Sequence, residues 1–152
     1  MKLMIEKSLR RLTLCGPEDA PLFVCKIALG ACPVGPKERE GDGKTPEGVY
    51  HVCLVKERGK YGRSLGLDYP NPADGERGLK AGLIDRAALN AIQKAWDSGA
   101  RPPWGTALGG EIFIHEGGTA SDWTAGCIAL DESAMDRLFP YRNALDSVWI
   151  LP

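Results

Sequence analysis

Apolar positions along the chain fall in short runs separated by turn-forming residues, a pattern that predicts a β-rich fold. Residues 11–15 and 22–29 are apolar runs joined by the segment GPEDAP, which predicts a β-hairpin. Residues 49–55 are rich in β-branched and aromatic side chains and predict one strand. Residues 112–115 and 147–151 have the same character, and a short apolar strand is predicted directly after Cys127.

Two segments instead show helical spacing. Apolar side chains recur at positions 84, 88, 92 and 96, which predicts a helix with one buried face that Gly99 brings to an end. A second helix is predicted after Asp131, a favourable N-cap residue, with Met135 and Leu138 facing inward until Pro140. The predicted fold class is therefore mainly β with two short helices.

The chain is predicted to form a single domain over residues 1–152. This length suits one hydrophobic core, and no linker or repeat divides it. Apolar residues make up 43% of the chain, enough for a core that needs no metal or disulfide. Glycine and proline cluster at 30–48 and 99–118, which predicts two long loops over the β scaffold.

Charge and hydropathy exclude several classes of protein. The net charge of −1 without a basic patch argues against a nucleic-acid partner. No apolar run approaches the ~18 residues of a membrane span, and the first residues show no secretory signal pattern. The sequence gives no indication of oligomeric state.

Cysteine and histidine usage gives little support for a metal site. None of the five cysteines belongs to a C-x-x-C pair, and the chain has two histidines. We therefore predict neither a metal nor another cofactor. Cys15, Cys25, Cys32 and Cys53 are interpreted as small buried hydrophobic residues, with disulfides in an oxidising compartment as the alternative.

The segment GDGKTPEG at 41–48 resembles the end of a phosphate-binding loop. That loop requires a glycine where this chain has Glu38, and Pro46 would interrupt the helix that must follow. The segment is therefore predicted to be a tight glycine-rich turn that leads into the strand at 49–55. Lys44 is free, on this interpretation, to project into a cleft.

His115 and Cys127 are the candidate catalytic pair. His115 ends a predicted strand and enters a glycine loop, and Cys127 follows Gly126. A thiolate forms near neutral pH when an imidazole serves as its base or as its positive partner. The alternative is an isolated polar residue and a separate core thiol. Flanking glycines and the small polar Thr124 favour the pair, and the order of histidine before cysteine at this spacing fits neither papain-like nor caspase-like enzymes.

These residues resemble a known signature. His115 followed by the element TAGC at 124–127 resembles the motif of the L,D-transpeptidase catalytic domain, or YkuD domain, family. The segment GDGKTPEGVY at 41–50 is similar to the family's threonine-proline-x-glycine segment. YPNPAD at 69–74 and WTAGCIAL at 123–130 are similar to the branch of Gram-negative envelope enzymes.

The resemblance covers about residues 25–150 and implies a β-sandwich-like catalytic fold that acts on peptidoglycan stem peptides. Cys127 would attack the carbonyl of the diamino acid at stem position three, and His115, oriented by a backbone carbonyl, would be its base. The resemblance also implies oxyanion donors at the amides of Ala125, Gly126 and Cys127. The candidate substrate contacts are Thr124, Trp123, Gly117 and Lys44.

Two departures from the family pattern bear on the substrate. Many members have histidine where this chain has Ala125, and arginine or asparagine where it has Ala129. Alternatives to transfer are therefore hydrolysis by the same pair, as a carboxypeptidase, endopeptidase or lipoprotein-releasing amidase, and a non-catalytic wall-binding module. The resemblance implies a location in the cell envelope or periplasm.

Overall fold

The computed structural model describes residues 1–152 and consists of two β-sheets with three α-helices. The strands are β1 (Lys2–Glu6), β2 (Arg11–Cys15), β3 (Pro21–Lys26), β4 (Gly48–Tyr50), β5 (Val52–Gly59), β6 (Gly62–Leu67), β7 (Phe113–Glu116), β8 (Ile128–Leu130) and β9 (Ser147–Leu151). The helices are α1 (Pro72–Lys80), α2 (Arg86–Ser98) and α3 (Glu132–Leu138). The mainly β fold class is confirmed, with one helix more than predicted.

The first sheet has the strand order β3-β2-β1-β9-β4. Strands β2 and β3 pair antiparallel, so the predicted hairpin is confirmed. Strand β9 pairs parallel with β1 and antiparallel with β4, and thereby joins the two ends of the chain in one sheet.

The second sheet has the order β5-β6-β7-β8. Strands β5, β6 and β7 form an antiparallel meander, and β7 pairs parallel with β8. Ile114 lies opposite Ile128, and His115 lies opposite Ala129. This register brings the end of the first candidate motif beside the second.

The single strand predicted over 49–55 is wrong in one respect, because the chain changes sheets at His51. The His51 amide donates a hydrogen bond of 2.7 Å to the Asp68 carboxylate, and its ring Nδ1 lies 2.9 Å from the other carboxylate oxygen. The side chain of Asp68 thus replaces a strand partner at this position. The apolar pattern continues through the break, so it did not indicate the change of sheet.

The hydrophobic core lies between the inner faces of the two sheets, as the β-sandwich-like prediction requires. Alternate residues of β1 and β2 are fully buried, as expected where every second side chain faces the core. The second sheet contributes apolar side chains from β6, β7 and β8, and Met135 and Leu138 of α3 join the same cluster.

The unpredicted helix α1 begins with a capping box at Asn71 and Asp74, whose side chains each accept a hydrogen bond from the other's backbone amide. Its sequence, PADGERGLK, lacks an apolar stripe, which is why periodicity did not reveal it. Helices α2 and α3 match the two predicted ones. Gly99 ends α2 in the left-handed conformation, at φ 69°.

No helix combines the length and apolar character that crossing a membrane requires. All five cysteines are unbridged. Cys15 is buried, whereas Cys32 is exposed at the surface. Burial raises the pKa of the half-buried Cys25 and Cys53 to about 11.

Candidate active site

His115 and Cys127 line the same surface cavity, which has a volume of about 260 Å³. The pairing of β7 with β8 explains this placement. His115 lies opposite Ala129, and Cys127 is two residues before Ala129. Since alternate residues of a strand share a face, the imidazole and the thiol project from the same side of the sheet.

The hairpin between β5 and β6 forms the facing wall of this cavity, to which it contributes Lys56, Lys60 and Tyr61. The end of the loop before β7 supplies Glu111 and leads to Phe113. The mouth of the cavity therefore combines two exposed ammonium groups with aromatic surface.

The ring of His115 is held in one tautomer. Its Nδ1 hydrogen-bonds the backbone carbonyl oxygen of Glu116. A carbonyl can only accept, so Nδ1 carries the proton and the lone pair of Nε2 remains available as a base. The Glu116 side chain is in turn fixed by Arg63, whose guanidinium lies 3.0 Å from the carboxylate.

Two aromatic rings cover the imidazole, whose residue is only 3% exposed. The ring of Tyr61 stacks on it at a centroid distance of 4.7 Å, and Trp123 meets it edge-on at 5.6 Å. Burial lowers the pKa of His115 below its usual value, against the hydrogen bond to Glu116, which raises it. The imidazole is therefore neutral at neutral pH, the form that accepts a proton.

The Cys127 sulfur lies between two backbone groups. It accepts a hydrogen bond from the Phe113 amide, and its thiol donates to the Glu111 carbonyl, each at 3.4 Å. Burial raises the pKa of the thiol, while the Phe113 amide and the charge of Lys37 act to lower it and the Glu111 charge raises it. The resting cavity thus contains a neutral thiol and a neutral imidazole.

The turn before Cys127 depends on Gly126 and Thr124. Gly126 has φ 144°, and a Cβ there would lie 2.7 Å from the Lys44 carbonyl oxygen. The Thr124 hydroxyl donates to the Cys127 carbonyl at 2.7 Å and accepts from the Gly126 amide at 3.1 Å. Thr124 therefore braces the turn from inside the protein.

This bracing changes the expected set of oxyanion donors. The Gly126 amide is already engaged by Thr124. The amides of Ala125 and Cys127 donate to no acceptor within the protein, so these two remain available to a bound substrate.

None of the four predicted substrate contacts lies in the wall of the cavity that contains Cys127. Thr124 is buried, and Trp123 packs against His115. Gly117 lies under the Trp123 ring, from which a Cβ would be 2.6 Å away. The Lys44 ammonium lies near Gly35, and the Lys44 backbone carbonyl contacts the turn at 124–127.

Lys37 is a buried cation close to the turn at 124–127, and sequence reasoning did not identify it. It is 3% exposed, and its Nζ lies 2.9 Å from Asp42 and 3.6 Å from the Cβ position of Gly126. The other Asp42 oxygen accepts the amides of Glu38 and Arg39. These bonds close a turn over residues 37–42, after which the chain continues without regular structure to β4. Nothing in the pattern indicated that Lys37 is buried.

No group of three or more histidine, cysteine or acidic side chains is arranged to hold a metal ion.

Comparison with solved structures shows the same fold in several proteins. The helical cell shape determining protein Pgp2 from Campylobacter jejuni aligns over 99% of this chain, with TM-score 0.61 and 24% identity. Bd1075 from Bdellovibrio bacteriovorus aligns over 98%, with TM-score 0.61 and 17% identity. An L,D-transpeptidase from Xylanimonas cellulosilytica aligns over 98%, with TM-score 0.55 and 11% identity.

The chain corresponds to only part of these proteins, covering 46% of Pgp2, 46% of Bd1075 and 59% of the Xylanimonas structure. YafK from Escherichia coli is 36% identical over 59 residues, which are 38% of this chain and 23% of YafK. The model of the family described as the L,D-transpeptidase catalytic domain, YkuD, matches residues 2–150. The chain therefore belongs to the L,D-transpeptidase catalytic domain family.

Proposed function

We propose that this chain is a cysteine acyltransferase that acts on peptidoglycan stem peptides. Membership of the L,D-transpeptidase family supports a peptidoglycan-modifying activity. The observation that carries the finer proposal is the shared cavity of His115 and Cys127, in which the Glu116 carbonyl fixes Nδ1 and leaves Nε2 free.

In the first half-reaction the Cys127 thiol gives its proton to Nε2 of His115 while the sulfur attacks the carbonyl of the diamino acid at stem position three. The carbon–nitrogen bond to D-alanine then breaks, and the imidazolium returns the proton to the leaving amine. The product is a thioester on Cys127. In the second half-reaction an acceptor amine attacks the thioester, its proton passes to His115, and the sulfur leaves as a thiol after reprotonation.

The tetrahedral intermediate of each half-reaction carries a negative oxygen. The free amides of Ala125 and Cys127 are the donors proposed for it, since the Gly126 amide is occupied by Thr124. An oxyanion donor of this kind contributes about 3 kcal/mol to transition-state stabilisation. Glycine at 126 keeps the turn compact in the conformation that these amides require.

Muropeptide analysis tests the proposal. The purified chain is incubated with disaccharide-tetrapeptides that contain a diamino acid, with and without a free D-amino acid as acceptor, and the products are identified by liquid chromatography and mass spectrometry. We expect release of D-alanine and formation of the exchange product. The exposed Cys32, outside the cavity, gives the matched control: Cys32→Ala should keep the activity and Cys127→Ala should lose it.

The same assay separates transfer from carboxypeptidase action. Tripeptide in place of the exchange product would show that water resolves the thioester, which supports hydrolysis by the same pair. Unchanged tetrapeptide from a folded wild-type chain would overturn both of these activities and leave the endopeptidase, the lipoprotein-releasing amidase and the wall-binding module, of which the first two are tested with cross-linked and lipoprotein-bearing muropeptides.

The proposed substrate places the site of action in the cell envelope, as is general for this family. Fractionation of cells that express the full-length protein tests this location. Signal confined to the cytoplasmic fraction would contradict it.

A further inference from the structure

Cys127 occupies an environment that opposes the negative charge its proposed role requires. Burial disfavours the thiolate, and the nearby Glu111 carboxylate adds to the penalty. Among the cations, Lys56 and Lys60 stand on the exposed rim of the cavity, where water and salt screen their charges. A charge shielded from water has the larger effect.

Lys37 carries a charge that is shielded from water, and its ammonium has one hydrogen-bond partner in the protein. The residue is 3% exposed, yet Nζ forms one hydrogen bond, of 2.9 Å to Asp42, for its three donors. Lys7 offers a comparison within the chain. It is 2% exposed, and its Nζ donates to the carbonyls of Gly35 and Thr45 and to the Glu47 carboxylate. Within the protein, Lys7 thus donates to three partners, whereas Lys37 donates to one.

The Lys37 ammonium lies behind residues 124–127, the turn that carries Cys127 and is called the nucleophile turn below. The Lys37 Nζ lies 3.6 Å from the Cβ position of Gly126, the residue directly before Cys127. Because residue 126 is glycine, no side chain separates this ammonium from the backbone that carries the thiol.

The other side of Lys37 faces a second cavity of about 270 Å³, where the charged groups are Glu38, Arg39, Asp74 and Arg77. Within that cavity Asp74 is already paired with Arg77. The Lys37 side chain therefore spans the wall between the second cavity and the nucleophile turn.

We propose that Lys37 is a positioning residue whose buried ammonium, held in place by Asp42, stabilises the negative charge that forms on the Cys127 sulfur. The inference rests on the proposed nucleophilic role of Cys127. It assigns a charge-stabilising function to the segment at 37–42.

Alkylation of Cys127 by iodoacetamide tests the proposal without any peptidoglycan substrate, because its rate follows the thiolate fraction. The rate is measured against pH by peptide mass mapping, with the exposed Cys32 as an internal reference thiol. A nearby opposite charge can lower a pKa by about one unit, and one unit is tenfold in thiolate. We therefore expect Lys37→Met to shift the Cys127 profile up by about one pH unit and to slow alkylation about tenfold at neutral pH.

Two further variants separate charge from packing. Lys37→Arg should return the profile toward that of the wild type. Lys7→Met, the matched removal of a buried lysine, should leave the Cys127 profile unmoved even though it lowers stability. An unshifted profile in folded Lys37→Met, or an equal shift in Lys7→Met, would overturn the proposal. Such a failure is distinguishable from failure of the proposed function, which the muropeptide products report.

A measurement on the intact side chain covers the case in which Lys37→Met does not fold. In protein labelled with ¹³C at lysine Cε, the Lys37 resonance is assigned by its absence from Lys37→Arg. It should shift with the Cys127 ionisation midpoint in the wild type and show no such step in Cys127→Ala. A Lys37 resonance that follows the same pH curve in the wild type and in Cys127→Ala would contradict the proposal.

Discussion

Replacing Gly126 with alanine is the most direct test of how the nucleophile turn is built. The added Cβ would lie 2.7 Å from the Lys44 carbonyl oxygen and 3.2 Å from Ile112 Cδ1. The first neighbour is a backbone carbonyl in the segment at 41–48, so it cannot rotate away as a flexible side chain would. The φ of 144° adds a second penalty, because residues with a Cβ rarely adopt it.

The cost of this substitution has two parts. A strained backbone conformation costs about 1–3 kcal/mol, and overpacking at a close contact adds about 1–3 kcal/mol. The two parts together predict that Gly126→Ala lowers the free energy of unfolding by about 2–6 kcal/mol. Gly48→Ala is the matched control, since Gly48 has nearly the same φ, 140°, but no neighbour closer than 3.4 Å to its Cβ position. Its expected cost is about 1–3 kcal/mol, from the backbone alone.

Urea unfolding followed by circular dichroism measures both variants under identical conditions. The difference between them, about 1–3 kcal/mol, isolates the close contact with the Lys44 carbonyl. Equal unfolding free energies for the two variants would refute the reasoning, because they would mean that the Lys44 carbonyl does not press against the nucleophile turn.

Three further predictions follow from the contacts. Tyr61→Ala uncovers the imidazole of His115, so the pKa of His115 should rise toward 6.5. The acid limb of the pH profile for D-alanine release should then move to higher pH. An acid limb at the same pH in both proteins would argue against the stacking of Tyr61 on His115. Arg10 holds the pKa of Asp122 below 3.8 through a side-chain hydrogen bond. The stability that this contact contributes should be complete above pH ~4 and should be lost as pH falls through the pKa of Asp122 in the folded protein. Arg10→Met should therefore cost about 1 kcal/mol at pH 7 by urea unfolding, and less in acid. A cost that does not change with pH would contradict this. At pH 8, iodoacetamide should modify the exposed Cys32 well before Cys25 and Cys53, whose pKa values of about 11 leave little thiolate; mass mapping that shows equal rates would contradict the assigned burial.

The candidate pair of His115 and Cys127 could be selected from the sequence because its signals are local. His115 ends an apolar strand and Cys127 begins the approach to another, with glycines beside both. A parallel pairing of those two strands is sufficient to bring the side chains into one cavity. The hairpin of β2 and β3 was equally evident from its turn residues.

Features that depend on tertiary contacts were not accessible. The change of sheet at His51 is set by Asp68, which lies 17 residues away in sequence. Helix α1 is stabilised by a capping box and carries no apolar stripe. The segment at 41–48 packs against the turn at 124–127, and this packing determines that Thr124 points inward and that Lys37 is buried. A pattern of hydrophobic and polar positions contains no information about such packing.

The proposed chemistry depends on acylation of Cys127 with His115 as its base. Acid-quenched intact-mass analysis detects this acyl-enzyme, with a disaccharide-tetrapeptide as donor and no acceptor, followed by peptide mapping. We expect one adduct whose mass is that of the donor less D-alanine, located on Cys127, strongly reduced in His115→Gln and absent from Cys127→Ala. Folded wild-type protein that stays unmodified while it releases D-alanine, or an adduct located on another residue, would rule out Cys127 as the nucleophile.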